Sequence, residues 1–442
     1  MRSFFYGLCR EREIVMEKTD LEIQQGLLYD VNVKPPIGRW FVLSFQHVFA
    51  MFGATVLVPI LTGLPISVAL FASGIGTLIY IVATKAKVPV YLGSSFAYIA
   101  AVQIAKEAMG GDFSAAQTGL ILVGIVYVIV AVVIKFIGKG WIDRLLPPIV
   151  IGPMIMIIGL GLASVAVGSA GFTTGGDWRV MATAFATFAI TATIMSTAKG
   201  FLKIVPFIVG IFGGYLVALA LGIVDFTAVT EAAWLSLPQF LLPFGTNGVF
   251  GEYRLYFGTE TWVIVPIALV TISEHIGDHT VLGKICGRNF LKDPGLDNTL
   301  IGDGVATAVS AFLGGPANTT YGENTGVVGL TKVASVWVVG GAAVIAIVLS
   351  FIGKISAAIS TIPWAVLGGM SILLYGFIAS NGLRVLIDEK VDFSKTRNII
   401  IAATMLVLGL GGAAFKLVGL ATLSGTALAA IAGVLLNLIL PE

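Results

Sequence analysis

The most constraining feature of this chain is its series of long apolar blocks with almost no charge inside them, such as Ile121–Ile134. About 20 such residues wound as an α-helix cross a bilayer. Only 11% of the 442 residues are charged and 57% are hydrophobic, against roughly 25% charged in an ordinary soluble domain. Polar side chains are too few to cover a water-facing surface, which excludes a soluble enzyme and a disordered chain. A membrane β-barrel is excluded as well, because its strands alternate polar and apolar residues in units of about ten. The 54 glycines suit helices that pack closely within lipid.

Hydropathy predicts an all-α polytopic membrane protein with fourteen spans, near 40–61, 65–84, 88–105, 116–137, 146–168, 180–197, 201–223, 261–285, 298–313, 316–331, 334–353, 356–380, 397–415 and 417–440. The basic residues orient it. With the N-terminus inside, 21 of the 26 Lys and Arg fall on cytoplasmic segments and 5 (Lys106, Arg179, Arg254, Lys354, Lys416) on outer ones. Positive charge is retained on the cytoplasmic side, so both termini are expected there, in the cell membrane. The predicted organisation is a cytoplasmic segment 1–39, a first set of spans over 40–223, an outer connection 224–260 and a second set over 261–440.

The remaining global features are mild. A net charge of +2 supplies no field to recruit nucleic acid. Cys9 and Cys286 are too few for a disulfide framework, and both are expected on the cytoplasmic side. Residues 1–39 carry six basic and six acidic residues, and Met1–Cys9 is too short for a signal-peptide core. Met16 is an alternative start to Met1.

The two sets of spans repeat. Gln46-His47 in span one matches Glu274-His275 in span eight at an offset of 228. Phe136-Ile137-Gly138-Lys139 before span five matches Phe351-Ile352-Gly353-Lys354 before span twelve at an offset of 215. Pro147-x4-Gly152-Pro153-Met154 matches Pro363-x4-Gly368-Gly369-Met370 at 216. Seven spans per copy is an odd number, so the second copy enters the membrane from the opposite side. This 7+7 inverted repeat is an arrangement typical of secondary transporters.

Spans three and ten occupy corresponding places and both break helix rules at mid-membrane. Span three contains Val88-Pro89-Val90-Tyr91-Leu92-Gly93-Ser94-Ser95-Phe96, and span ten contains Gly314-Gly315-Pro316-Ala317-Asn318-Thr319-Thr320-Tyr321-Gly322-Glu323-Asn324. Each reads as a short extended segment leading into a half-helix. Irregular backbone at this depth must be buried in protein or line a cavity. A half-helix start also offers free N–H groups and a positive dipole end. A packing kink explains one such break; a matched pair points to a transport site.

Four acids lie in apolar spans: Glu274, Asp278, Asp303 and Glu323. The three histidines, His47, His275 and His279, do so too. Each costs at least about 2.5–3.5 kcal/mol at the centre of a membrane helix, so such groups face a partner or a cavity. Glu274 and Asp278 are four apart and share a helix face. A carboxyl group taken out of water beside a second one favours its neutral form, which makes this cluster a candidate proton-coupling site. Pairing with His47 or His279, or capping a helix end, is the structural alternative, strongest for Asp303. His275-Ile276-Gly277-Asp278-His279 spaces two histidines as zinc peptidases do. It lacks their Glu and any evident third ligand, so no metal site and no enzyme are expected.

Glu323-Asn324-x-Gly326-x4-Thr331-Lys332 resembles the signature of the nucleobase–ascorbate transporter family, the second type of nucleobase:cation symporters. Gln46-His47-Val48-Phe49-Ala50-Met51-Phe52-Gly53-Ala54-Thr55, Gly93-Ser94-Ser95-Phe96 and Glu274-x3-Asp278 are similar to that family as well. The resemblance runs over about residues 38–440, and its pattern is most similar to that of bacterial uracil permeases.

The resemblance implies a core domain of spans 1–4 and 8–11, a gate domain of spans 5–7 and 12–14, and homodimers. Substrate would lie between the half-helices of spans three and ten. Glu274 and Glu323 would bind the base, helped by groups at Phe96, Ser95 and Gly322, with Tyr321 and Tyr375 nearby. Asp278, with Glu274, Asp303 and His47, would handle the coupled proton, with no other cofactor. One departure stands out: uracil:proton symporters of the family carry His where this chain has Asp278. Asp278 and Asp303 resemble the purine-type pattern, whereas Glu323 resembles the uracil type. The expected activity is therefore uracil:proton symport by alternating access. A xanthine- or urate-type purine permease is the alternative, and a channel-like anion pathway a more distant one. Uracil suits such a site chemically: it is planar and neutral, and its N–H donors match carboxylate acceptors.

Overall fold

The computed structural model describes residues 26–138, 140–173, 175–199, 202, 205–416 and 422–441. The expectations placed on Cys9, Met16, Lys139, Lys203 and most of the 1–39 segment lie outside the described residues.

The chain is mostly helical. The first half holds α1 (Ile37–Thr62), α2 (Ile66–Ala83), strand β1 (Leu92–Ser94), α3 (Ile99–Ala108), α4 (Ser114–Ile137), α5 (Gly140–Leu145), α6 (Pro148–Gly161), α7 (Ala163–Ser169), α8 (Trp178–Thr197) and α9 (Pro206–Ala220). The connection that follows contains α10 (Thr227–Glu231), β2 (Leu241–Leu242), β3 (Gly251–Glu252) and α11 (Thr259–Trp262). The second half holds α12 (Ala268–Cys286), α13 (Leu296–Phe312), β4 (Asn318–Thr320), α14 (Gly322–Thr331), α15 (Val336–Ser350), α16 (Gly353–Ser360), α17 (Trp364–Asp388), α18 (Thr396–Leu410), β5 (Ala414–Lys416), β6 (Thr422–Ser424) and α19 (Gly425–Ile439). Among the described residues, six helices are long and apolar enough to cross a membrane: Ile37–Thr62, Ile66–Ala83, Ser114–Ile137, Pro148–Ser169, Trp178–Thr197 and Trp364–Asp388. Pro206–Ala220, Val336–Ser350, Thr396–Leu410 and Gly425–Ile439 are shorter apolar helices. The chain is thus a multi-pass membrane protein.

Several boundaries differ from hydropathy, each for a local reason. The segment read as span twelve from residue 356 is two helices, because Pro363 cannot continue α16 and instead starts α17, which runs on to Asp388. Span eight does not start as one helix at 261. Val265-Pro266-Ile267 forms a 3₁₀ turn, and α12 begins only at Ala268. Between α18 and α19 the backbone forms a two-stranded antiparallel pair, Phe415 opposite Leu423, where hydropathy gave two abutting helices.

Glycine lets the helices close on one another. A Cβ on Gly124 of α4 would lie 2.5 Å from the Gly304 carbonyl oxygen of α13, and one on Gly382 of α17 would lie 2.5 Å from that of Gly152 on α6. Without room for Cβ atoms the backbones approach directly, the usual basis of helix association in lipid. In this way α4 and α2 hold α13, α15 packs on α1 and α2, and α17 packs on α6 and α8.

Extended segments cross both ends of the first of these groups. Residues 28–33 run beside residues 332–336, with Ala334 N–H donating to Tyr29 O and Val336 N–H to Val31 O at 2.8 and 3.0 Å. Arg288 pairs with Asp30 at 2.7 Å, and Val31 is fully buried. At the other end Leu235 bridges to Ile352, Gln239 N–H donates to Ser67 Oγ at 3.1 Å and Leu241 N–H to Leu313 O at 3.1 Å.

Candidate functional site

The two interrupted segments meet. β1 and β4 pair antiparallel, with Leu92 opposite Thr320, Gly93 opposite Thr319 and Ser94 opposite Asn318. The ladder extends by one bond at each end: Ser95 N–H to Ala317 O at 2.9 Å and Tyr321 N–H to Tyr91 O at 3.1 Å. All six strand residues are buried. A lone two-strand ribbon is marginal in water; here protein surrounds it and satisfies its outer groups. Thr77 Oγ1 accepts from Leu92 N–H, Thr307 donates to Asn318 O, and Asn318 Nδ2 donates to Ala72 O.

Because the strands are antiparallel, the chain leaves the ribbon at opposite ends. β1 passes through the 3₁₀ turn Phe96–Tyr98 into α3, and β4 passes through Tyr321 into α14. Neither helix start has a side-chain cap, so first-turn N–H groups remain for other acceptors. Gly93 admits this closure: a Cβ there would lie 2.3 Å from the Tyr321 ring.

Helix α12 brings the acids to the ribbon. At 100° per residue, Glu274 and Asp278 lie on one side with the exposed Gly277, while His275 and His279 point inward and are buried. Glu274, Asp278 and Glu323 are half-buried, and Gly322 and Gly326 on α14 are exposed. Glu274 is within electrostatic reach of Asp278, Glu323 and Asp303, and among the described residues its carboxylate makes no hydrogen bond. Glu323 sits in the first turn of α14 against its own backbone N–H. Asp278 accepts a hydrogen bond on Oδ2 from Thr320, the last residue of β4. Its Oδ1 lies 4.0 Å from where a Gly322 Cβ would be. These acids line the cleft between α12 and α14, beside the end of the ribbon at Thr320.

The other sequence-predicted residues divide between this cleft and its supports. Phe96 is half-buried and meets Tyr375 edge to face, with ring centres 6.3 Å apart. It also borders an apolar cavity of about 100 Å³ lined by Ala100, Ile104, Ile157, Gly161 and Ile267, among others. Among the described residues, the Ser95 and Tyr375 hydroxyls are buried with no partner in hydrogen-bonding geometry. Tyr321 is committed to the fold: its hydroxyl donates to Ser94 O and accepts from Thr55 Oγ1, each at 3.1 Å. Asp303 is fully buried against His275, Oδ2 to Nδ1 at 2.8 Å. His47 is buried too, and Asn324 donates to both its Nδ1 and its backbone oxygen at 3.1 Å.

Sequence reasoning passed over Thr320, His275 as the partner of Asp303, and Asn324 as the partner of His47. The doublet Thr319-Thr320 just before the helix start was visible, but only the fold puts Thr320 beside Asp278. Among the described residues no group of three or more His, Cys, Asp or Glu is placed to hold a metal ion.

A xanthine/uracil permease model, described as the permease family, matches residues 38–418. The uracil permease of Bacillus caldolyticus is 51% identical over 414 residues, covering 93% of this chain and 94% of its own length. That of Bacillus subtilis (strain 168) is 49% identical over 412 residues, covering 91% and 93%. That of Escherichia coli (strain K12) is 42% identical over 413 residues, covering 92% and 93%. These relatives are named as permeases and not as enzymes. In fold, the chain is similar to the transmembrane domain of the cyanobacterial bicarbonate transporter BicA, with a TM-score of 0.63 at 15% identity, covering 92% of this chain and 98% of that one. It is also similar to the murine Solute Carrier 26 family member A9 anion transporter in its inward-facing state, with a TM-score of 0.66 at 12% identity, covering 92% and 69%. The family match over 38–418 and the identity across nine-tenths of the chain establish that this protein belongs to the nucleobase–ascorbate transporter family of membrane permeases.

Proposed function

We propose that this protein is a uracil:proton symporter of the cell membrane that works by alternating access. The observation that carries the reading is the pair of half-buried carboxylates, Glu274 on α12 and Glu323 on α14, without competing side-chain partners among the described residues and beside an uncapped helix start. Uracil presents N–H donors flanked by carbonyl acceptors. The two carboxylates accept from the N–H groups, and backbone N–H groups at Gly322 and near Ser95 and Phe96 serve the carbonyls. Phe96, backed by Tyr375, covers a ring face, while Tyr321 braces the ribbon. A ligand lacking an N–H leaves a buried acceptor unpaired and is rejected. The uracil permeases at 51% and 49% identity support the same substrate.

In this reading Asp278 takes up the coupled proton with Glu274. Asp303 and His47, closed against His275 and Asn324, act from behind by setting the charge and position of the site. The chain crosses the membrane fourteen times as a 7+7 inverted repeat, with both termini cytoplasmic. A core of spans 1–4 and 8–11 moves against a gate of spans 5–7 and 12–14, in a homodimer. A purine permease is the second reading, favoured by Asp278 and Asp303 being acids. Uptake of radiolabelled uracil into proteoliposomes tests the choice, with and without an inward proton gradient and with excess xanthine. Gradient-dependent uptake that xanthine leaves intact is the expected result; xanthine transport without uracil transport would overturn it.

A further inference from the structure

We infer that Thr320 is a positioning residue for coupling: its hydroxyl occupies one oxygen of Asp278 and reserves the other to receive the transported proton. The inference rests on the proposed symport and adds to it a residue outside the family signature.

The geometry is asymmetric. Thr320 Oγ donates to Asp278 Oδ2, and among the described residues Oδ1 has no donor. Oδ1 faces the start of α14 at Gly322, next to Glu323, where the backbone is exposed. Thr320 itself is 3% exposed and locked in register opposite Leu92, so it cannot follow a wandering carboxylate. The hydrogen bond therefore ties α12 to the ribbon on which α14 is mounted. The charged groups facing Asp278 are Glu274 on its own helix, Glu323 on α14 and Asp303 on α13; none is a cation. The one donor among the described residues is a neutral hydroxyl, which steadies the ionised carboxylate without neutralising it.

The proton step balances simply. A proton from the aqueous side forms an O–H bond at Oδ1 and is later released from the same oxygen, while Thr320 keeps its own hydrogen throughout. Protonation thus happens at the oxygen nearest the substrate-facing helix start, where it alters the charge seen by Glu323. A bare carboxylate with two equivalent free oxygens would take the proton on either side, and the link between proton and substrate would loosen.

The test uses the full-length protein in proteoliposomes, with radiolabelled uracil and two assays. Equilibrium exchange reports binding and the moving step; accumulation against a concentration gradient, driven by an inward proton gradient, reports coupling. Thr320→Val removes the hydroxyl at nearly constant shape and Thr320→Ser retains it. Loss of a hydrogen bond to a charged group corresponds to a change of about tenfold or more. Thr320→Val is expected to cut accumulation by that factor with the exchange KM within about twofold of wild type, and Thr320→Ser to keep both. Wild-type accumulation by Thr320→Val overturns the inference, as does equal loss in Thr320→Ser. Thr320→Ala is the second hydroxyl-free variant should Thr320→Val not reach the membrane, and the same outcomes apply. In an Asp278→Asn background, Thr320→Val should likewise leave exchange unchanged; a loss of exchange there would place Thr320's effect outside its hydrogen bond to Asp278. If the wild-type protein itself does not accumulate uracil, the symport reading fails, which is a separate result from any difference between Val and Ser.

Discussion

His275 Nδ1 and Asp303 Oδ2 lie 2.8 Å apart, and neither side chain is exposed. The pair fastens α12, which carries Glu274 and Asp278, to α13, which α4 holds through the Gly124–Gly304 crossing. His275 also stacks on His279 at 4.0 Å, and Tyr80 bonds to His279 Nε2. These contacts link Asp303, His275, His279 and Tyr80 behind the cleft, while His275 Nε2 and Asp303 Oδ1 are buried without a hydrogen-bond partner among the described residues.

Removing one member of that buried pair strands the other, at a cost of about 3–5 kcal/mol. Asp303→Ala should therefore lower the thermal stability of the purified protein in detergent by several degrees or prevent its recovery. Asp303→Ala combined with His275→Ala should recover part of the loss, since no orphaned polar group remains. An unchanged melting temperature in the single variant would show that the pair does not hold the two helices.

Two glycines near the site should answer differently to the same substitution. Gly93→Ala places a methyl 2.3 Å from the Tyr321 ring, so the ribbon cannot close and uptake should fall at least about tenfold, with loss of protein as the extreme case. Gly322→Ala meets nothing nearer than 4.0 Å. It should fold normally and weaken substrate binding, because its methyl enters the cleft. The readouts are membrane abundance and uracil affinity; normal affinity in Gly322→Ala would take that helix start out of the binding site.

Glu323→Gln keeps shape and replaces an acceptor-only carboxylate with an amide that also donates. Uracil affinity should drop by about tenfold or more, with abundance unchanged, in a scintillation-proximity or uptake-inhibition assay. Wild-type affinity would remove Glu323 from the site and leave Glu274 as the principal acceptor.

Arg384 and Lys390 are exposed at the end of α17. Cysteines placed there, with Cys9 and Cys286 replaced by Ser, should react in intact cells with a membrane-permeant maleimide and not with an impermeant one. Labelling by the impermeant reagent would invert the proposed orientation.

Much of this protein was legible as sequence. Apolar blocks identify membrane helices because lipid imposes its requirement on each segment separately. The breaks at Val88–Phe96 and Gly314–Asn324 were legible for a similar reason, since Pro, Gly and β-branched runs fail locally as helix. The four membrane acids stood out by their energetic cost alone. What the tertiary structure decided is which of these groups are spent and which are free. Leu92 finds Thr320, and His275 finds Asp303, only when helices distant in sequence pack together. Tyr321, which sequence placed at the substrate, turns its hydroxyl to Ser94 and Thr55, because the closed ribbon seats its ring against Gly93. Burial and pairing are properties of the packed bundle and no local pattern encodes them. The open carboxylates of Glu274 and Glu323 and the closed one of Asp303 therefore looked alike until the fold set them apart.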